Sequence, residues 1–278
     1  MNDLEPRIAR HYGSYGVLER ILLGLERSGA DLKKLSPDQL KPVDEFHIGG
    51  ADATARLLDR LAIEPGMHLL DIGSGIGGPA RTIAQRFNCE VTGIDLTPDF
   101  VAAATALTKM CGMDGSVRFE VGSATALPLT DASFDAATLL HVGMNIADKA
   151  GLFREAYRVL RPGRVFAVYD VMKTGEGELA FPVPWAESAE LSAVATREVY
   201  RDAARAAGFT AIAEDDRRAI ALDFFTRIQA QAKSDTPPPL GLHLLMGPTI
   251  AAKMTNMIAA IRDGTIAPVE MIFRKPAS

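Results

Sequence analysis

From Gly66 onward the chain alternates short apolar runs with stretches whose apolar residues return every three or four positions. The runs Met67–Ile72, Val91–Asp95, Val117–Val121, Ala136–Leu140 and Val165–Val171 are bounded by turn residues and read as buried strands. Thr97-Pro98-Asp99 starts a helix reaching about Cys111; Leu152, Phe153, Ala156 and Leu160 share one face of another, closed by Arg161-Pro162-Gly163. Strands alternating with helices are the pattern of a parallel sheet covered on both faces. Further on, Arg197–Ala207 reads as a helix stopped by Gly208, Ala211–Glu214 as a strand, and Ala219–Lys233 and most of Leu240–Arg262 as helical. Ala267–Phe273 is a last strand, placed at or near an edge by Pro268. Upstream, Val17, Leu18, Ile21, Leu22 and Leu25 form one face of a helix within Arg7–Gly29, broken at Gly13 or Gly16. Ser36-Pro37-Asp38-Gln39 has the form of a capping box, and Ala51–Leu61 leads into the first strand. These elements predict an α/β fold with a seven-stranded, doubly wound sheet. Residues 1–62 are expected to form a helical cap and lead-in helix, and residues 63–278 the sheet domain, with a cap insert at about 217–265 between its last two strands.

The stretch Met67–Gly78 adds chemistry: an apolar strand ends in Asp71, and Gly73, Gly75, Gly77 and Gly78 follow. It reads as strand, tight turn and a helix whose first N–H groups face a ligand. Glycine there permits positive φ and close approach of a ligand to the backbone. Gly73, Gly75 and Gly78 satisfy GxGxxG, a spacing that suits a nicotinamide or flavin enzyme as well. Asp71 shifts the balance, because a carboxylate before the glycines repels a pyrophosphate but can hold an ammonium group. S-adenosylmethionine carries such an ammonium and no phosphate. A second strand ends in Asp95, roughly 20 residues on, where a carboxylate can accept both ribose hydroxyls. The alternative is a Gly-rich turn with no ligand. Asp71, Asp95, Ser123 and His141 all fall at or just after strand ends, the rim on which such sheets bind ligands.

At 278 residues, with 47% apolar and 23% charged residues, the chain has the composition of a soluble globular protein. A net charge of −5 and no Lys/Arg run longer than two argue against nucleic acid. Cys89 and Cys111 suggest neither a disulfide framework nor a metal site. The first ten residues are charged and no run approaches the roughly 18 apolar residues of a spanning helix. A cytoplasmic protein without membrane insertion, monomeric or a homodimer, is therefore expected.

The markers Leu70-Asp71-Ile-Gly-Ser-Gly-Ile-Gly-Gly-Pro79, Gly93-Ile-Asp95-Leu-Thr, Gly122-Ser123-Ala124 and Leu160-Arg-Pro-Gly163 resemble those of class I S-adenosylmethionine-dependent methyltransferases, whose sheet is Rossmann-like. Asp44-Glu-Phe-His-Ile-Gly-Gly50, His141-Val-Gly-Met-Asn145-Ile and Phe181-Pro-Val-Pro-Trp185 resemble the sarcosine/dimethylglycine methyltransferase-like group. The resemblance implies that Gly73, Ser74, Gly75 and Gly77 line the methionine part of the cofactor and that Asp71 anchors its amine. It places Asp95 on the ribose, Leu96 against adenine, Ser123 and Ala124 at the adenine edge, Leu140 and His141 beneath the methionine, and Phe46, His47 and Ile48 over the methyl-donor end. Two positions depart from the family. Ser123 stands where an aspartate usually accepts from the adenine amine, so Ser123→Asp is expected to tighten cofactor binding. Arg164 stands where a second glycine usually follows Arg-Pro-Gly, which leaves the start of the fifth strand open.

Methyl transfer is an in-line displacement at a carbon already activated by sulfonium, so alignment and exclusion of water carry most of the acceleration. An amine nucleophile must be unprotonated, and His47 and His141 are the candidate bases. Their alternatives are a loop histidine fixing the Gly49-Gly50 turn and a strand-end histidine bonded to backbone. On the acceptor side the candidates are Tyr12, Tyr15, Phe46, Asn145 and Trp185; the aromatic ones either face a cation or pack the cap. Met246, Met254, Met257 and Met271 read as core, soft cap surface or dimer seam. The leading expectation is N-methylation of a small amine. The alternatives are C- or O-methylation of an apolar quinone precursor or prenyl compound, a nicotinamide-dependent oxidoreductase, or a non-catalytic cofactor-binding protein. A polar pocket with a carboxylate-binding arginine would mark the first, and a long apolar pocket the second.

Overall fold

The computed structural model describes Glu5, residues 16–231 and residues 238–277. Seven strands form one sheet: β1 (His68–Ile72), β2 (Glu90–Asp95), β3 (Val117–Val121), β4 (Phe134–Leu140), β5 (Leu160–Lys173), β6 (Thr210–Asp216) and β7 (Ile266–Arg274). Their spatial order is β3-β2-β1-β4-β5-β7-β6, parallel through β5, with β7 antiparallel to both neighbours. This is the Rossmann-like sheet of class I methyltransferases.

Strands buried on both faces explain the continuous apolar runs. Leu70, Ala137, Phe166 and Val168 point into one core with Phe153 and Tyr200, while Leu69, Ala136 and Ala167 point into the other with Leu57 and Ile83. The first core is covered by α6 (Lys149–Val159) and α7 (Arg197–Ala207), the second by α3 (Gly50–Leu58) and α4 (Gly78–Phe87). Beside α5 (Pro98–Met110), α1 (Val17–Arg27) and α2 (Pro37–Asp44) bury Ile21, Leu25, Leu40 and Val43 against Phe100, Leu107 and Leu240. The α1 start falls after Gly16, whose φ of 86° ends any continuous helix there. Ser36 N–H donates to Gln39 Oε1 at 2.9 Å in the expected capping box. Between β6 and β7 lie α8 (Arg218–Gln231), α9 (His243–Met246) and α10 (Ile250–Arg262), which form a roof.

The start of β5 differs from the sequence reading. β5 begins at Leu160, because Leu160 pairs with Phe134 before the ladder shifts and resumes at Ala136↔Val165. Arg164 has a role there: its guanidinium and that of Arg161 flank Asp135 of β4 at 3.2 and 2.5 Å. β7 lies one strand in from the edge, and Pro268 is tolerated because the β6 ladder ends at Asp216↔Val269, just before it. Met271 is sheet core, unlike Met246, Met254 and Met257 of the roof.

Candidate active site

The carboxyl ends of β1, β2 and β4 and the turn after β3 open onto one chamber of about 850 Å³. Its sheet side is lined by Asp71, Gly73, Ser74, Gly75, Asp95, Leu96, Ser123, Ala124, Leu140 and His141. Phe46, His47 and Ile48 close one wall, and Asn145 and Trp185 another. The sequence candidates therefore converge, with three exceptions. Gly77 does not line the chamber. Its φ of 87° caps α4, and a Cβ there would lie 2.5 Å from Phe119, so packing and backbone conformation explain this glycine. Tyr12 and Tyr15 lie outside the described residues.

Gly73 earns its place by close approach: with φ 75°, a Cβ would sit 2.3 Å from Val142 Cγ2 in the turn after β4. That turn is itself unusual, since His141 holds φ 55°, a region costly for a non-glycine residue. Two backbone groups hold the imidazole. Nδ1 lies 3.2 Å from the Tyr169 carbonyl, and Nε2 faces the Ile48 N–H at 3.4 Å. The Tyr169 hydroxyl donates to the Ile48 carbonyl at 3.0 Å, so the loop carrying Phe46–Ile48 is pinned to β5 and to the end of β4. Burial pushes the His141 pKa well below its ordinary value. His47 sits among the Gly50 carbonyl (3.1 Å) and the Thr54 hydroxyl (3.0 Å), and burial lowers its pKa to about 4. Its 3.6 Å approach to Glu45 is therefore not an ion pair at neutral pH.

Asp71 is 1% exposed; Thr138 Oγ1 donates to its Oδ1 at 2.9 Å, while Oδ2 has no partner. Burial raises its pKa to about 7, with Glu45 and Asp95 adding to the rise. A buried carboxylate oxygen without a donor costs free energy unless a ligand supplies one. The buried Ser74 hydroxyl beside it also lacks a partner. Asp95 is fixed by two backbone N–H groups, Gly75 to Oδ2 and Thr97 to Oδ1, each at 2.8 Å. Each oxygen keeps a further lone pair, the disposition that takes two vicinal hydroxyls. A free carboxylate oxygen on β1 and a carboxylate fixed by two N–H groups on β2 could take an ammonium and a diol, the two polar ends of S-adenosylmethionine.

Sequence reasoning missed several groups. Arg81, fully buried, donates to Asp44 Oδ2, the Ile76 carbonyl and the Thr108 hydroxyl, each at 2.8 Å, and so ties the end of α2 to the glycine turn. Gly78 lets the two approach: a Cβ there would meet the Asp44 carbonyl oxygen at 2.3 Å. Glu5 lies at the chamber rim against Ser123. The roof contributes Phe224, Phe225, Ile228, Leu240, Leu242, Leu245, Met246, Met254 and Met257. Only the methionines carried a signal in the sequence.

Residues 70–168 match the family described as "Methyltransferase domain". The chain is 36% identical to cycloartenol-C-24-methyltransferase 1 of Oryza sativa subsp. japonica over 111 residues, 40% of this chain and 32% of that protein. It is 30% identical to phosphoethanolamine N-methyltransferase 1 of Arabidopsis thaliana over 177 residues, 61% of this chain and 34% of the relative. The match thus spans about a third of each of these curated relatives. The fold matches geranyl diphosphate C-methyltransferase from Streptomyces coelicolor A3(2), solved with Mg2+, geranyl-S-thiolodiphosphate and S-adenosyl-L-homocysteine, with a TM-score of 0.70 at 18% identity, covering 99% of this chain and 98% of that one. The fold is thus that of a methyltransferase, and residues 70–168 carry the matching domain.

Proposed function

We propose that this chain, built around a methyltransferase domain, transfers the methyl group of S-adenosylmethionine to carbon or oxygen of an apolar small molecule. The observation that carries this reading is the composition of the roof's share of the chamber: phenylalanine, leucine, isoleucine and methionine side chains line the same space of about 850 Å³ as the strand ends. Among the described lining residues there is no arginine, and Lys41 is the one lysine. Apolar walls with few polar groups suit an acceptor that gains by leaving water. The curated relatives include methylators of both a sterol precursor and an amine.

Bound cofactor would supply a methyl carbon already activated by its sulfonium. The chain's own residues do the rest. Asp71 and Asp95 would hold the amino and ribose ends, fixing the direction in which the methyl group points. Phe46, Trp185 and the roof would exclude water. His141, with both nitrogens on backbone groups, acts as a positioning residue that fixes Ile48 over the donor end. His47 is likewise held, and a base of pKa about 4 takes no proton from an alkylammonium of pKa about 10. Asp95→Ala is expected to weaken S-adenosylhomocysteine by about 1.5–3 kcal/mol, read by titration calorimetry; a loss below about 0.5 kcal/mol would place the ribose elsewhere.

N-methylation is the second reading, favoured by Glu45 and Asp148 on the chamber wall and by the amine-methylating relative. One assay separates the two: methyl-labelled cofactor offered with prenylated quinols and sterols on one side, and sarcosine, dimethylglycine and phosphoethanolamine on the other. Label extracted into organic solvent with the first set is the expected result. Label found only on the amines would overturn the apolar acceptor.

A further inference from the structure

The order of strand ends fixes where a nucleoside cofactor must lie, and this inference rests on the cofactor assigned above. β1 carries Asp71 next to its last residue, β2 beside it ends in Asp95, and β3 beside that leads into the turn Gly122–Thr125, joined to β2 by Gly122 N–H donating to the Asp95 carbonyl at 3.0 Å. With the amino end at Asp71 and the ribose at Asp95, the base falls over this third strand end. The local sequence there offers only hydroxyl groups, Ser123 and Thr125. Both turn onto one residue, 118 and 120 positions away: Ser123 Oγ donates to Glu5 Oε1 at 2.5 Å, and Thr125 Oγ1 approaches the same oxygen at 3.3 Å. The Thr125 N–H donates back to Ser123 Oγ at 3.2 Å. Glu5, Ser123 and Thr125 all line the chamber.

We propose that Glu5 reads the purine: its carboxylate, held by the Ser123 and Thr125 hydroxyls, accepts from the exocyclic amine of adenine and so selects adenosyl over 6-oxo purine nucleosides. A hydroxyl can rotate to donate or accept, and alone would discriminate little. An ionised carboxylate only accepts, and does so more strongly than a neutral oxygen. It welcomes an amine and repels a carbonyl oxygen at the same place. The charge that Ser123 fails to supply thus arrives from the other end of the chain. An aspartate at 123 would then set two like charges together, so Ser123→Asp weakens binding here, reversing what the sequence alone predicts.

The test is calorimetric titration of the full chain with S-adenosylhomocysteine and with S-inosylhomocysteine, its 6-oxo analogue. Wild type is expected to prefer the adenosyl compound by roughly tenfold or more, one charge-assisted bond against one repulsion. Glu5→Gln, whose amide both donates and accepts, should bring the two ligands to near-equal affinity, and Glu5→Ala should weaken the adenosyl compound with Tm unchanged. Equal discrimination in wild type and both variants would overturn the proposal while leaving the cofactor assignment intact. Failure of wild type to bind either compound would sink both.

Discussion

Asp71→Asn is expected to weaken S-adenosylhomocysteine about a hundredfold, roughly 3 kcal/mol, the scale of a charged, desolvated contact. The variant keeps the shape of the strand end and the bond from Thr138, so what it removes is the charge at Oδ2. Two pH dependences follow from the side chain's raised pKa of about 7, which burial causes. An ammonium is held by the ionised form, so wild-type affinity should rise from pH 5 to about 7, by up to tenfold per unit, and then level off. The empty protein should behave in the opposite sense. A carboxyl whose folded pKa lies above its unfolded value of 3.8 destabilises the fold increasingly as pH rises from 3.8 through about 7. The stability difference between wild type and Asp71→Asn, followed by urea unfolding from pH 4 to 8, isolates this contribution from the other acids. Wild type should lose ground to the variant across that window without ligand and recover it with S-adenosylhomocysteine. A flat difference and an unchanged affinity would remove the ammonium from Asp71.

Arg81→Met should destabilise the fold by about 3–5 kcal/mol near pH 8, since it strands a buried carboxyl partner. It also strips the Ile76 carbonyl and the Thr108 hydroxyl of their donor. Burial outweighs the attraction of Arg81 and already lifts the Asp44 pKa to about 6. The attraction between the pair is full above that value and fades as Asp44 takes a proton below it. The gap between wild type and Arg81→Met should therefore narrow toward pH 5 in urea unfolding. A cost of less than about 1 kcal/mol at pH 8 would rank the pair with exposed ion pairs, despite its burial.

What the sequence disclosed follows from how locally each feature is encoded. Leu69 and Leu70 serve opposite cores, as do Ala136 and Ala137, so a strand needed on both faces announces itself as an apolar run. Asp71 and Asp95 were legible because each carboxylate ends such a run. Glycine content was less informative: Gly73 and Gly77 belong to one glycine-rich turn, yet only the first lines the chamber, and the second answers to Phe119 across the fold. Glu5 and Arg81 were silent because their partners stand 118 and 37 positions away. The roof was hidden for a related reason. Phe224 and Phe225 are ordinary apolar residues of a helix until the fold brings them to the chamber that Asp71 and Asp95 also line.

The roof departs after Asp216 and returns at Ile266, on neighbouring antiparallel strands whose shared ladder ends at Asp216↔Val269. A segment whose ends are neighbours can be exchanged for another of different length at little cost in loop closure, because that cost grows only with the logarithm of length. Asp71, Asp95 and the glycine turn lie on strands that the exchange would not touch. A graft between Asp216 and Ile266 is therefore expected to carry a new acceptor preference onto an unaltered donor half.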